Sequence, residues 1–505
     1  MDSDKISIEA AITRAGFGLY GCLMTALTAL ILIAFACIAY GVMFIVPTSA
    51  CELQTTTAQQ GLLASAPIIS LLLGGVVWSY LADTRGRRAM LLICLAGGTL
   101  FNLIGTISVN WIMLMVFQLI AGIFAAGIYS VSMTLLSESV PMTHRNSAIL
   151  IVASVMFLGQ GIKGLIALPI ISLTFSYYLP SLGIYWNSWR TLMLVFCIPA
   201  IVSGIALFFM QESPKFVFNK RGETETLEIL KRIHRINNWR SKEELLIKGI
   251  IQDELILPKT QSSVRDQLFP LFKAPLLKST IIMLFMNLTQ QLTAFVVWMP
   301  TIADQFVRIV QTGDSTDLTV CDIIDMPVET DPDATPCALD QTSLLILLGL
   351  GASQSTFNLI ISFLVNFTGR RNISIAVISL CGVSGILVNL VPNVIGSGLL
   401  FCVMLLGVVV VGLITAMCLA LFPTNLRAMA ISFTMITQYL GIVASVQLLN
   451  WLLTFNCAAG FYIFGSLFTS AAVAAFFLPD DRKAQTTETP QESVEDTETP
   501  AKKMY

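Results

Sequence analysis

An ionised side chain inside a bilayer costs about 2.5–3.5 kcal/mol or more, so a lysine within an apolar run needs a reason. Lys163 is such a lysine, in an apolar run over 147–173. It lies about 27 Å beyond Arg145 along a helix rising roughly 1.5 Å per residue, which puts it outside the midplane. Gln160 precedes it by one turn on the same face, and Gly159, Gly161 and Gly164 let a neighbouring helix approach closely. Two readings stand side by side: a counter-charge for an anionic or polar solute, or an ammonium that snorkels to the headgroups. A second polar stripe, Asn287, Gln290, Gln291, Ala294 and Trp298, repeats at spacings of three or four and gives amides and an indole one helix face. It reads either as a cavity wall or as interhelical hydrogen bonding. Gln118 and Tyr129, Gln354 and Asn358, and Gln438 and Tyr439 add polar positions to three further runs, completing the candidate cavity. No carboxylate falls in the middle third of any run, where proton-coupled carriers and organic-cation sites usually need one. A neutral, zwitterionic or anionic solute is therefore favoured. The two histidines, His144 and His234, are too few for a histidine-built metal site. No nucleophile, base and orienting group fall together in a polar segment, so neither an enzyme nor a cofactor is expected.

The elements that must position these residues are membrane helices. Of 505 residues 55% are hydrophobic and 12% charged, with mean hydropathy +0.79, against about 25% charged in an ordinary soluble domain. Net charge is −2, which gives no basic excess for nucleic acid. A spanning helix needs about 20 apolar residues, and twelve runs qualify: 20–46, 58–82, 89–109, 112–136, 147–173, 190–210, 278–304, 342–366, 372–391, 397–421, 428–453 and 458–478. The first is too long for the core of a cleaved signal. With both termini cytoplasmic, all of the 29 Lys and Arg except Lys163, Arg190 and Arg308 fall on the cytoplasmic side, as the positive-inside rule requires. Tyr177, Tyr178, Tyr185, Trp186 and Trp189 then reach the outer interface, where amphipathic rings are favoured.

The division that follows is a cytoplasmic N-terminus (1–19), a six-helix bundle (20–210), a cytoplasmic linker (211–277), a second six-helix bundle (278–478) and a disordered cytoplasmic tail (479–505) that repeats Thr-Glu-Thr-Pro. The linker carries amphipathic stretches near 223–236 and 241–252, the second opened by a Ser241/Glu244 capping-box pattern. The outer loop 305–341 is acidic and holds Cys321 and Cys337. A disulfide between these two is predicted, stabilising by about 3 kcal/mol in the chain-entropy model. Cys51 is the odd exofacial thiol and could compete for either partner. Sequons at Asn287, Asn366 and Asn372 fall within helices or on the cytoplasmic side, so none should carry sugar.

Between the second and third runs stands Leu-Ala-Asp-Thr-Arg-Gly-Arg-Arg (81–88), and Gly369, Arg370 and Arg371 repeat its ending between the eighth and ninth. Together with Val-Pro-Thr-Ser-Ala-Cys-Glu-Leu (46–53), Asn-Ser-Trp-Arg (187–190), Glu-Ser-Pro-Lys-Phe (212–216), Trp-Met-Pro (298–300) and Leu-Phe-Pro-Thr-Asn-Leu-Arg (421–427), these blocks resemble the major facilitator superfamily. Within it they resemble the synaptic vesicle glycoprotein 2 related group, kin to organic ion transporters. The resemblance covers about residues 15–480 and implies an all-α membrane protein, with twelve helices in two pseudo-symmetric six-helix bundles around a midplane site. It further implies that Asp83, Arg87 and Arg88, with Glu138, Arg145 and Glu212, latch the two halves on the cytoplasmic side when the site faces outward. Arg370, Arg371 and Arg427 are the matching members in the second half.

The sequence departs from that pattern where Asn366 stands for the second latch aspartate and Ala420 for the glutamate ahead of Leu-Phe-Pro-Thr. It departs again at Gln118, where an arginine is common. The leading expectation is a monomeric secondary transporter of a small organic solute, working by uniport or exchange in a plasma or vesicle membrane. The alternative is a non-transporting receptor or trafficking scaffold on the same fold, which the missing carboxylates favour.

Overall fold

The computed structural model describes residues 5–171, 175–239, 249–251, 269–312, 318–325, 341–422 and 424–478, with a few single residues between. Twelve helices are long and apolar enough to cross a membrane: α1 (Gly18–Leu53), α2 (Thr57–Arg85), α3 (Arg87–Gly105), α4 (Trp111–Ser139), α5 (Met142–Ile171), α6 (Ser188–Phe208), α7 (Leu277–Val310), α8 (Gln341–Val365), α9 (Arg370–Leu387), α10 (Val394–Cys418), α11 (Phe433–Phe455) and α12 (Cys457–Phe476). Every predicted run has its helix.

Two helices are interrupted where the sequence reading had them continuous. In α1 regular helix stops at Tyr40 and resumes at Val42. In α7 it stops at Thr289 and resumes at Thr293, with Gln290 leaving helical geometry at ψ 56°.

The Gly-Arg-Arg turns do the same work in each half. Gly86 has φ 111° and Gly369 φ 81°, left-handed backbone that only glycine adopts without strain. Arg88 then donates to the final carbonyls of α6, Leu207 O at 3.2 Å and Phe208 O. Arg371 donates to Phe476 O at the end of α12 (2.6 Å). Each arginine caps the negative end of the last helix of its own bundle. A Cβ at Gly86 would also sit 2.7 Å from Glu212 Oε2. Gly86→Ala is therefore expected to cost about 1–3 kcal/mol, read as a lower midpoint of thermal unfolding in detergent with the helix content unchanged.

The bundles meet on one side. The face bearing the Gly86 and Gly369 turns is called the basic face below, and its opposite the far face. One buried apolar cluster runs from the second bundle into the far-face ends of α1, α2, α5 and α6 (Phe44, Ile68, Ile170, Phe196). The basic-face part of the first bundle forms a separate cluster around Tyr20, Leu91, Leu136 and Leu207. Gln447 donates to Ser65 Oγ (2.8 Å) and Asn450 to Thr57 O (3.0 Å), tying α11 to α2. Asn358 donates to Ser154 Oγ (3.0 Å), tying α8 to α5. Past that pair toward the basic face both helices expose their side chains, Leu150 and Ile151 on one, Leu359, Ile360 and Phe363 on the other.

The linker begins with helices Pro214–Arg221 and Glu223–Asn237, the second as expected. The predicted 241–252 stretch is not helical at its end, because Ile250 and Ile251 pair as a parallel strand with Ile6 and Ser7. Ser241 and Glu244 lie outside the described residues, as do the tail, most of the acidic loop and Cys337. Cys321 bonds Cys457 at the start of α12, with Cα atoms 5.5 Å apart. This corrects the predicted Cys321–Cys337 bridge: the loop helix Val320–Asp325 folds back on the bundle, where Cys321 N also donates to Asn389 Oδ1 (3.3 Å). Cys457 opens a helix beneath an apolar run, and its spacing alone gave no sign of that approach. Cys51 is also disulfide-bonded.

Candidate functional site

The interruption in α1 makes the site. In a continuous helix Phe44 N would bond Tyr40 O; here Phe44 N takes Gly41 O instead (3.0 Å), which frees the Tyr40 carbonyl. Lys163 fills it, Nζ donating to Tyr40 O at 3.2 Å. The ammonium also lies 5.5 Å from the Tyr40 ring centre and 5.7 Å from that of Phe44. At 1% exposure it is enclosed, so the snorkelling reading fails. Gln160 reaches the same stretch of α1, Nε2 to Met43 Sδ at 3.5 Å.

Aromatic rings continue from Tyr40 into the first bundle. Phe35 lies 5.7 Å from Tyr40 and 5.3 Å from Tyr129. Tyr40 and Tyr439 flank both apolar clusters. Lys163 and Gln160 thus meet the Tyr40–Phe44 stretch of α1, with Tyr129 reached through Phe35; the sequence alone did not single out Tyr40 or Phe44. An interrupted helix beside the lysine was the missing signal.

The α7 stripe divides at its break. Asn287 Nδ2 turns back to Met283 O (2.8 Å). Gln291 binds Leu288 O (2.7 Å) and accepts from Ser445 Oγ (3.2 Å), so it caps the broken backbone and packs on α11. Gln290 is different: 1% exposed, with neither amide atom partnered among the described residues. Trp298 Nε1 is likewise buried and unpartnered. Three other candidates hydrogen-bond within or between the bundles, Gln118 keeping its Oε1 unpartnered among the described residues. Gln118 donates to Asn102 Oδ1 (3.0 Å) inside the first bundle, Gln354 to Leu405 O (3.0 Å) inside the second, and Asn358 joins the halves as described. Gln438 is buried on α11.

The candidate latch charges before residue 213 find their partners in the first bundle, the start of the linker and the N-terminal segment. Arg87 spans Asp83 (2.9 Å) and Glu138 Oε2 (3.0 Å), and Ser213 Oγ donates to the same Glu138 oxygen. Glu212 Oε1 accepts from Arg88 N (2.9 Å) and Ser213 N (3.0 Å). Arg145 pairs with Glu9 (2.9 Å), not with Glu138. In the second bundle Arg370 reaches a backbone carbonyl, Ala416 O at 3.2 Å, where Arg87 has a carboxylate. The Arg427 and Asn366 side chains lie outside the described residues.

Glu9 also receives Lys215. Burial pushes its pKa up, but the hydrogen bonds from Lys215 and Arg145 outweigh that and hold the carboxyl below its ordinary 4.5. A depressed carboxylate contributes stability that is complete above the unfolded-state pKa and disappears as pH falls through the folded one. Unfolding midpoints measured from pH 7 downward should accordingly drop below pH 4.5 more steeply in the wild type than in Glu9→Gln.

The cations left on the far face are also paired. Arg190, 0% exposed, binds Glu52 (2.6 Å), and its Nε donates to Tyr185 O (2.9 Å). Trp189 Nε1 and Asn187 Nδ2 each donate to Glu52 at 2.7 Å. Arg308 pairs with Asp304 (2.8 Å).

A sequence profile described as Major Facilitator Superfamily matches residues 20–308 and 338–504. The Caenorhabditis elegans protein svop-1 is 24% identical over 283 residues, 56% of this chain and 50% of that protein. The synaptic vesicle 2-related protein of Xenopus laevis is 26% identical over 230 residues, 46% of this chain and 39% of that one. The match therefore spans half or less of the length of these relatives. The fold is similar to the xylose transporter XylE from E. coli in a partially occluded inward open conformation, with TM-score 0.66 at 15% identity, covering 92% of this chain and 99% of the other.

Proposed function

The chain belongs to the major facilitator superfamily of multi-pass membrane proteins, and on that premise we propose that it is a secondary transporter for a small organic anion or zwitterion. The two bundles, 20–210 and 278–478, rock about the Lys163 pocket by uniport or exchange, with the basic face in the cytoplasm. The carrying observation is Lys163: a wholly buried amine that, among the described residues, donates to one carbonyl, lies over two ring faces and meets no carboxylate. An ammonium has three donors, and a buried cation without a carboxylate is poorly compensated, so an anionic group of the solute is its natural partner. Gln290 and Trp298, whose side-chain polar atoms have no partner among the described residues, are further candidates to meet the polar remainder. Acidic residues of the spans sit near their ends, as Glu52, Asp83, Glu138 and Asp304 do, which supports transport without a proton-carrying carboxylate.

Purified protein screened by thermal shift against carboxylates, zwitterions, sugars and organic cations should be stabilised by members of the first two classes. A charge-assisted hydrogen bond contributes about 1.5–3 kcal/mol, so Lys163→Gln should weaken the best hit by about 10- to 150-fold. Stabilisation by cations alone, or an affinity indifferent to Lys163→Gln, would overturn the reading.

A further inference from the structure

The N-terminal segment is built into the basic face rather than trailing from it. Ile6 and Ser7 pair with Ile250 and Ile251 of the linker, Ile6 N donating to Gly249 O at 3.1 Å. Ser7 Oγ accepts from Ala10 N (3.2 Å) and starts the helix Ile8–Ala15, whose Ile8, Ala11, Ile12 and Ala15 are buried. Asn237, ending the linker helix, donates to Ala15 O (2.9 Å) and Gly16 O (2.8 Å) and accepts from Tyr20 N (2.8 Å). Phe17 stacks on His144 at 4.8 Å. From this clasp Glu9 reaches Arg145, with contacts of 2.9 and 3.1 Å to Nη2, and meets Lys215 from the other side. Arg145 stands at the basic end of α5, and its Nε is buried without a partner among the described residues.

We propose that residues 6–17 form a strap that occupies Arg145 while the basic face is open, so that release of Glu9 is a step toward closing that face. The inference rests on the alternating-access reading above. Among the described residues the shared apolar cluster joins the bundles toward the far face, and Arg145, at the basic end of α5, is held by a segment belonging to neither bundle's helices. Closing would bring the basic ends of α5 and α8 together, and Arg145 serves that junction only when Glu9 lets go. The linker contacts make the strap sensitive to anything that pulls on residues 214–251.

The test is a spin-label distance between Ser147→Cys on α5 and Thr368→Cys beyond α8, both exposed, in protein with Cys22 replaced by serine. Wild-type protein should show mainly the long distance. Glu9→Gln should raise the short-distance population by about fivefold, the change that corresponds to roughly 1 kcal/mol. Ile6→Pro removes the Ile6 N bond without touching a charge and should shift the population the same way. Gly161→Leu, which wedges the far-face seam, serves as the control. If it shortens the distance while neither strap variant does, the strap is wrong and alternation stands; if none of the three moves it, both fail.

Discussion

Glu52→Leu is expected to lower stability by about 3–5 kcal/mol, the cost of leaving a buried charge without its partner. The Arg190 guanidinium is 0% exposed, and Glu52 is the carboxylate it touches. Without it the cation keeps the carbonyls of Tyr185 and Thr106 and the face of the Trp189 ring, 4.3 Å away, while the Trp189 indole N–H and the Asn187 amide lose their acceptor. The contrast with Asp83 fixes the scale. Its ion pair with Arg87 has a carboxylate side chain that is 69% exposed, so Asp83→Asn should cost under about 1 kcal/mol. Denaturant unfolding in detergent separates the two, and Glu52→Leu with Arg190→Met should recover part of the loss because the unpaired cation is gone. A double variant no more stable than Glu52→Leu would mean that the indole and amide, not the ion pair, carry the cost.

That pair shows how much the sequence held and where it stopped. Arg190 stood out as a positive charge on the wrong side of the bilayer, and Glu52 was already in a recognised block, but 138 positions separate them and no periodicity joins such residues. The helices themselves were legible because a bilayer imposes one length and one composition on every span. The Gly-Arg-Arg turns were legible as a repeat; their work as caps on α6 and α12 was not, since it depends on which helix end the fold brings beside each arginine. Lys163 could be picked out as costly, yet choosing between snorkelling and burial needed the interruption at Tyr40, which an unbroken apolar run conceals. The α7 stripe failed in part for the same reason: spacing of three or four places residues on one face only while the helix continues, and Gln290 and Gln291 fall where it does not.

Gly161→Leu should drive the protein out of the described state altogether. A Cβ at Gly161 would lie 2.8 Å from Leu348 Cα and 2.9 Å from its carbonyl oxygen, and one at Gly351 would lie 2.7 Å from Gly161 N. These are backbone atoms, so no rotamer relieves the overlap. Either α5 and α8 part or one of them bends. Overpacking of this kind costs about 1–3 kcal/mol, and because the cost falls only on the state in which this seam is closed, it biases the equilibrium by about 5- to 150-fold toward the state in which it is open. Ala64, buried where α2 meets the shared apolar cluster, gives the readout: Ala64→Cys should react with a membrane-impermeant maleimide slowly in the wild type and at least tenfold faster with Gly161→Leu. Gly349→Leu is the matched control, since a Cβ there meets nothing within 4 Å, and it should leave the rate unchanged. Equal acceleration by both substitutions would show general loosening of α8, whereas acceleration by Gly161→Leu alone identifies the crossing of α5 and α8 as the contact that must open to expose Ala64.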